Sequence, residues 1–382
     1  MDYSIAGKQL KLNNAEDVDF IVKEINGNPL KSLDLSGNTI GIESSKKISE
    51  ILQSSVDTLQ TINLSDIFTG RLNTEVPQCL SYLLPTLLKC KHLTTINLSD
   101  NALGLQTIEP IEQYLSKAVT IENLILSNNG MGPFAGERIG KSLYKLAQLK
   151  ASNGHPSLKT FICGRNRLEN GSMKYLTLGL IHHKDLQELR LYQNGIRPIG
   201  ISILINGLKA NKNLKILDLQ DNTLTYLGST SISKNLNDWK LTELNLNDCL
   251  LKSKGFGEIL EVLEHQDGLK TLKLQYNELN KEVLTKLFDV VQKLTLESLE
   301  INGNKLEDDD ELIEQYQDLL GDKVDEMDEM EGEDSDDEED DEGEEDEEII
   351  DFEELAKELD GTDEDQDAGV DSIADKLDET HI

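Results

Sequence analysis

The chain has little of what usually carries chemistry. Its 382 residues include four cysteines, six histidines, one tryptophan and seven prolines, and aromatic side chains make up only 4 %. Cys79, Cys90, Cys163 and Cys249 stand apart, without the paired spacing of a zinc site, and read as small core groups. The histidines offer no metalloprotease spacing. His182 and His183 are neighbours at a helix end, where adjacent side chains cannot share one face, so surface or cap roles are expected. The glycine segments at 37–41 and 130–132 never continue into a Gly-Lys-Ser/Thr phosphate loop and read as turns. No apolar run approaches the roughly 20 residues of a membrane helix, and nothing resembles a signal peptide. Positive charge is scarce as well. Lys and Arg number 37 against 73 Asp and Glu, and no basic stripe is present to meet nucleic-acid phosphates. The expectation is a soluble intracellular protein with no nucleic-acid partner, no membrane span, and no metal or cofactor of its own.

What the chain does have is leucine in a repeating frame. The pattern Leu-x-x-Leu-x-Leu-x-x-Asn begins at Leu30, Leu59, Leu93, Ile121, Leu158, Leu186, Leu214, Leu241, Leu269 and Leu296, with a basic step of 28 and longer steps of 34 and 37. Apolar residues alternate inside each copy, as in Leu217 and Leu219, which is the pattern of a short half-buried strand. The second half of each copy carries apolar residues at spacings of three and four, as over 199–208 and 255–263, which predicts a helix. Residues 2–29 read as a divergent first repeat that caps the end. The fold class is therefore α/β, a leucine-rich-repeat crescent on the ribonuclease-inhibitor plan. Parallel strands line its concave face and helices its convex face, over about eleven repeats in residues 1–321.

Two columns follow each strand. The first, Asn38, Asn101, Asn129, Asn166, Asn194, Asn222, Asn277 and Asn304, reads as structural, because an inward amide can both donate to and accept from backbone that would otherwise stay unpaired. Asp66 and Cys249 read as departures from it. The second column stands one residue earlier, at the rim: Asp100, Asn128, Arg165, Gln193, Asp221, Asp248 and Tyr276. Polar or amphipathic side chains repeated at one level can grip a protein without any catalytic dyad. The insertion after Leu59 carries Ile67 to Arg71, and an exposed Arg71 beside Gly70 suits a carboxylate or anion. The second insertion, around 148–155, reads as a polar surface loop.

Composition changes after 321. Residues 322–382 hold 33 acidic residues and three lysines, which leaves the preceding repeats nearly balanced at about −6. A segment this charged repels itself and has little apolar area to bury, so 322–382 is expected to be a largely disordered tail, most firmly over 322–348. Phe352 to Leu359, and later Val370, Ile373 and Leu377, could dock or fold on binding.

Four segments carry a resemblance that the leucine pattern alone would not: Ser65-Asp66-Ile67-Phe68-Thr69-Gly70-Arg71, Asn128-Asn129-Gly130, Cys163-Gly164-Arg165-Asn166-Arg167-Leu168-Glu169-Asn170-Gly171 and Leu219-Gln220-Asp221-Asn222. Together with the repeat number and the acidic tail, they resemble the Ran GTPase-activating proteins of fungi and animals over essentially the whole chain. The resemblance implies a GTPase activator that is not itself an enzyme. GTP and Mg2+ would reside on Ran, Ran-GTP would be the partner, a Ran-binding protein could join a ternary complex, and the free chain would be a monomer. It further implies that no arginine finger is supplied and that Ran's own catalytic Gln is turned toward water. Asn128 would be the residue that approaches that Gln. Arg71 would position the interface, and Asp100 and Asp221, with Arg165, Gln193 and Asp248 on the same rim, would contact Ran. The location implied is the cytoplasm, with the cytoplasmic side of the nuclear envelope as a finer expectation. The alternative is an acidic leucine-repeat scaffold or inhibitor that binds a basic protein. Its scaffold form is disfavoured by the 28-residue period and its inhibitor form by the small number of cysteines.

Overall fold

The computed structural model describes residues 1–307, 309–328, 330 and 348–361. Elements alternate through the first unit, Met1–Glu347. In chain order they are β1 (Asp2–Ser4), β2 (Lys11–Leu12), α1 (Asp19–Ile25), β3 (Ser32–Asp34), β4 (Thr39–Ile40), α2 (Ile42–Gln53), β5 (Thr61–Asn63), α3 (Val76–Leu87), β6 (Thr95–Asn97), α4 (Glu109–Leu115), β7 (Asn123–Ile125) and α5 (Gly132–Asn153). There follow β8 (Thr160–Ile162), α6 (Glu169–Ile181), β9 (Glu188–Arg190), α7 (Pro198–Leu208), β10 (Ile216–Asp218), α8 (Thr225–Asn235), β11 (Glu243–Asn245), α9 (Lys252–Leu263), β12 (Thr271–Lys273), α10 (Lys281–Val291), β13 (Ser298–Glu300) and α11 (Glu311–Leu320). Eleven of the strands form one parallel sheet in which each strand lies beside its sequence neighbour, from β1 to β13, with β2 and β4 paired separately.

The register follows from the leucines. Leu189, Leu217, Leu244, Leu272 and Leu299 stand opposite one another at the centres of consecutive strands, and all are fully buried. Parallel strands sit about 4.8 Å apart, whereas packed helices need roughly 8–10 Å, so one strand and one helix per layer cannot stack straight. The solenoid bends with the strands inside, as the repeat pattern predicts.

The Asn column works as a ladder. Asn129 Nδ2 donates to Leu126 O at 2.8 Å and Leu98 O at 3.1 Å, while its Oδ1 accepts from Asn101 N at 2.8 Å. Asn166 and Asn194 repeat the arrangement one layer on. Cys249 replaces the amide with a thiol that reaches Leu219 O at 3.3 Å. Burial pushes the Cys163 thiol up to about 12 and raises that of Cys249, so both are inert core groups.

Several expectations need correction. In the copy that begins at Leu59 the ladder position is Ile67, whose N–H donates to Asn101 Oδ1 at 2.9 Å. Asp66 belongs to the rim instead, its N–H donating to Ser99 O as Asp100 N donates to Ser127 O. The 148–155 insertion is mainly helix: α5 runs on to Asn153 and stops at Gly154 in a left-handed cap. The extension is anchored by Lys150, buried, with Nζ donating to Val119 O and Pro156 O at 2.8 Å; burial pushes its ammonium down to about 8. His183 is no surface residue. It is fully buried after α6, where Nδ1 accepts from Leu158 N at 3.2 Å, and the C-cap of α6 is its neighbour His182.

The compositional boundary at 322 is not where packing ends. Val324 bridges Leu299 at the edge of β13, and Asp325 Oδ2 accepts from Ile301 N, Asn302 N and Gln275 Nε2 at 2.8–2.9 Å. An acidic residue is kept here because three N–H groups at the open end of the sheet need an acceptor. In the second unit, residues 352–361 form a helix capped by Asp351 Oδ1, which accepts from Glu353 N and Glu354 N. The disorder expected over 331–347, and the segment with Val370, Ile373 and Leu377, lie outside the described residues.

Candidate functional site

The rim column shares a backbone property that no composition rule announces. Asp66, Asp100, Asn128, Arg165, Gln193, Asp221, Asp248 and Tyr276 all have φ between 50° and 61°, in the left-handed region. The matching positions in the end repeats are Gly7, Gly37 and Gly303, with φ of 67° to 69°. A left-handed backbone costs a side-chain-bearing residue about 1–2 kcal/mol, less for Asn and Asp, and glycine is the residue that avoids the cost. Glycine is used at both ends and nowhere across the eight repeats between. Arg165, Gln193 and Tyr276 are the least comfortable occupants. Strain held at one level of consecutive layers points to side chains kept for use.

Asn128 follows β7 and is exposed. Its Nδ2 donates to Asp100 Oδ1 at 2.7 Å, across to the previous repeat. That contact fixes which way the amide faces and leaves Oδ1 as the outward acceptor. The turn is itself unusual, with left-handed φ at Asn128, Gly130 and Gly132. Asn128 N–H is tied to Gly164 O at 2.8 Å, so the residue is held by a repeat on each side.

Arg71 departs from the exposed anion-binding group expected of it. Half-buried, it is engaged by its own chain: Nε donates to Thr39 Oγ1 at 3.0 Å, and Nη2 donates to Asn13 Oδ1 at 2.7 Å and Leu12 O at 3.4 Å. The guanidinium fastens the insertion loop to the first repeats. Beside it, Thr69 Oγ1 donates to Asp66 Oδ1 at 2.5 Å.

Gln193, Asp221 and Asp248 come together around an open groove of about 500 Å3, with Arg167, Glu169, Thr223 and Leu250 along its sides. Partial burial, and then the neighbouring Asp221 carboxylate, raise the Asp248 carboxyl above its ordinary value. Two neighbouring carboxylates make this part of the groove attractive to a cation. Arg165 stands exposed between this group and Asn128 in the order of repeats. The predicted residues thus fall into three places along one rim: Arg71 at the early repeats, Asn128 with Asp100 in the middle, and the acidic groove beyond.

Among the described residues no group of three or more His, Cys, Asp or Glu could hold a metal ion, and no helix is long and apolar enough to cross a membrane. Sequence reasoning missed Tyr192, whose ring lies over Gly164 and whose hydroxyl donates to Ser127 Oγ at 3.1 Å, next to Asn128. The available signal was a tyrosine and a glycine at the same repeat position in adjacent copies.

A family model described as "Leucine Rich repeat" matches residues 28–48, 89–106 and 210–233. Ran GTPase-activating protein 1 of Saccharomyces cerevisiae is 50 % identical over 338 residues, 85 % of this chain and 82 % of that protein. Ran GTPase-activating protein 2 of Caenorhabditis elegans is 41 % identical over 52 % of this chain and 21 % of its own length. Ran GTPase-activating protein 1 of Xenopus laevis is 38 % identical over 51 % of this chain and 34 % of its own. Half of all aligned positions shared along most of both chains is far more than a common leucine spacing would produce, and this chain belongs to the Ran GTPase-activating protein family.

Proposed function

We propose that the rim is the surface through which this chain stimulates GTP hydrolysis by Ran, and that Asn128 is the residue that reaches the reacting site. The chain is a Ran GTPase activator serving nucleocytoplasmic transport. Hydrolysis takes place on Ran, which carries the GTP and Mg2+; this chain contributes no nucleophile.

The observation that carries the assignment is the Asn128 to Asp100 bond on a left-handed turn. A partner's catalytic Gln on a mobile switch loop visits many orientations. An outward Asn Oδ1 already fixed in space can accept one of its amide N–H bonds and hold the other end toward the attacking water. Converting a rare geometry into the prevailing one lowers the barrier without new covalent chemistry. Closing the rim over the site also excludes water and strengthens the contacts Ran already makes to its phosphates. Asp100 then serves as the brace of Asn128. Arg71 sets the shape of the neighbouring loop through Thr39 and Asn13, and Gln193, Asp221 and Asp248 take up cationic or hydrogen-bonding groups of Ran's surface, with Arg165 completing the contact.

The repeats, closed by Val324 and Asp325, and the acidic stretch beyond them divide this work, with the residues that act on Ran confined to the repeats. A free chain is a monomer in this reading, and a Ran-binding protein joins it in a ternary complex. We place the protein in the cytoplasm and, more finely, on the cytoplasmic side of the nuclear envelope.

Single-turnover hydrolysis by purified Ran-GTP tests the assignment. Asn128→Ala should lower the activated rate about a hundredfold while the chain stays folded, with only the small stability loss of alanine at a left-handed φ. Arg165→Ala should mainly raise the half-saturation value. Full activity of the Asn128 variant would remove the assignment, and a loss of about 10³ or more in maximal rate on changing Arg165 would mean that the chain supplies an arginine finger.

A further inference from the structure

We propose that Tyr192 is a positioning residue for Asn128, acting across an intervening repeat. Tyr192 follows β9, Gly164 holds the same place after β8, and Ser127 holds it after β7. A side chain normally meets the next layer of a solenoid and stops there. Here the middle layer has none: a Cβ on Gly164 would lie 2.3 Å from two carbons of the Tyr192 ring, so the ring occupies the space a side chain would fill. The phenol therefore passes over Gly164 to donate to Ser127 Oγ at 3.1 Å, 65 residues away in the chain.

Ser127 is the residue on which the Asn128 turn hangs. It is buried, its N–H donates to Ser99 Oγ at 3.0 Å, and its Oγ also accepts from Gly164 N at 3.3 Å. One residue on, the chain enters the left-handed turn of Asn128, Gly130 and Gly132. Two glycines in five residues make this stretch locally free, and its placement has to come from outside. Tyr192 and Gly164 supply it: Ser127 Oγ receives two donors from the following layers while Asn128 N–H is held by Gly164 O at 2.8 Å. The amide that Asp100 orients from one side is thereby held in place from the other.

This inference rests on Asn128 being the residue that reaches Ran's reacting site, and the experiment separates the two ideas. Maximal rate and half-saturation are measured for Ran-GTP hydrolysis with the full-length chain and with Tyr192→Phe, Ser127→Ala, Gly164→Ala, Asn128→Ala and the double change of Tyr192→Phe with Asn128→Ala. Loss of one hydrogen bond to a positioned group should lower the maximal rate about three- to tenfold for Tyr192→Phe, with half-saturation held within about twofold. Ser127→Ala should do the same. Gly164→Ala should reproduce or exceed the loss, because its new methyl displaces the ring. Once Asn128 is Ala, Tyr192→Phe should cost nothing more. An unchanged maximal rate for Tyr192→Phe overturns the proposal while leaving Asn128 in its role. So does an equal loss with and without Asn128, or a loss that appears in half-saturation alone. Full activity of Asn128→Ala overturns both.

Discussion

Asn128 and Asn129 are neighbours of the same residue type, yet they belong to two columns that differ in every physical respect. Asn129 is buried, and both ends of its amide are consumed by backbone of its own and adjacent repeats. Asn128 is exposed, sits on a left-handed backbone, and spends only its Nδ2 on the fold. The inner column is mostly asparagine because each amide completes the hydrogen bonding of adjacent layers, with Ile67 and Cys249 as the two departures. The rim column carries Asp, Asn, Arg, Gln and Tyr because no one side-chain contact is demanded of every member; what they share is an unfavourable φ. A column built mostly of one amide holds the solenoid together, and the varied one in a costly conformation is the surface proposed to meet the partner.

The widest separation between the columns should appear in paired variants. Asn128→Ala should cost about a hundredfold in Ran-GTP turnover with a loss of stability of at most about 1 kcal/mol, from alanine at a left-handed φ. Asn129→Ala should instead lower unfolding free energy by about 1–3 kcal/mol, since buried N–H and C=O groups lose partners, and should retain turnover at temperatures where it is folded. Equal thermal losses in the two variants would dissolve the distinction.

A similar loss should follow from cutting the chain at the compositional boundary rather than at the structural one. Ending at Gly321 removes Asp325 and exposes Ile301 N and Asn302 N, for about 1–3 kcal/mol. Ending at Met330 should leave both melting and activation intact. If the two truncations melt alike, the sheet edge does not depend on Asp325.

Acid should loosen the buried framework through His183. Burial, with Lys150 adding to it, pushes His183 from its ordinary 6.5 down to about 3. Its folded pKa lies below the unfolded one, so between those values the unfolded chain binds a proton that the folded chain refuses. Stability from this residue is whole above about pH 6.5 and falls as pH drops toward 3, by about 1.4 kcal/mol at pH 5.5. Asn211 fills the corresponding place in the next repeat, with Nδ2 donating to Leu180 O and His183 O, so His183→Asn is a conservative replacement. Urea melts at pH 7.5 and 5.5 should show a smaller drop in that variant; identical drops would clear His183.

The smallest effect is also the most direct reading of strain. Gln193→Gly should relieve the left-handed cost and raise stability by a few tenths of a kcal/mol, up to about 1, while weakening half-saturation for Ran-GTP. A variant that melts lower would mean that Gln193 holds its turn and does not merely endure it.

Legibility in the sequence followed how local each requirement was. Strand centres, helices and the Asn ladder repeat every 28 residues or so, because each layer solves the same packing problem with the same residue types. The rim could be read for the same reason, down to Asn128, Asp221 and Asp248, although Asp66 was assigned to the wrong column where an isoleucine had taken the ladder place. A second buried polar series has no sequence pattern, since Ser55, His183, Asn211, Trp239 and Gln266 satisfy backbone at equivalent turns with five different residue types. The insertion at 148–155 looked polar enough for a loop, but Lys150 finds two carbonyls inside and carries the helix on.

By itself, then, the amino-acid order determined the solenoid, its parallel register and the polar level of the rim, because those depend on residues one repeat apart. Tertiary structure alone decided that Arg71 is spent on Thr39 and Asn13, that the rim is uniformly left-handed, that Asp325 closes the sheet, and that Tyr192 reaches Ser127 over Gly164. Each of these depends on a backbone angle or a gap between layers, and such quantities exist only once the repeats have stacked.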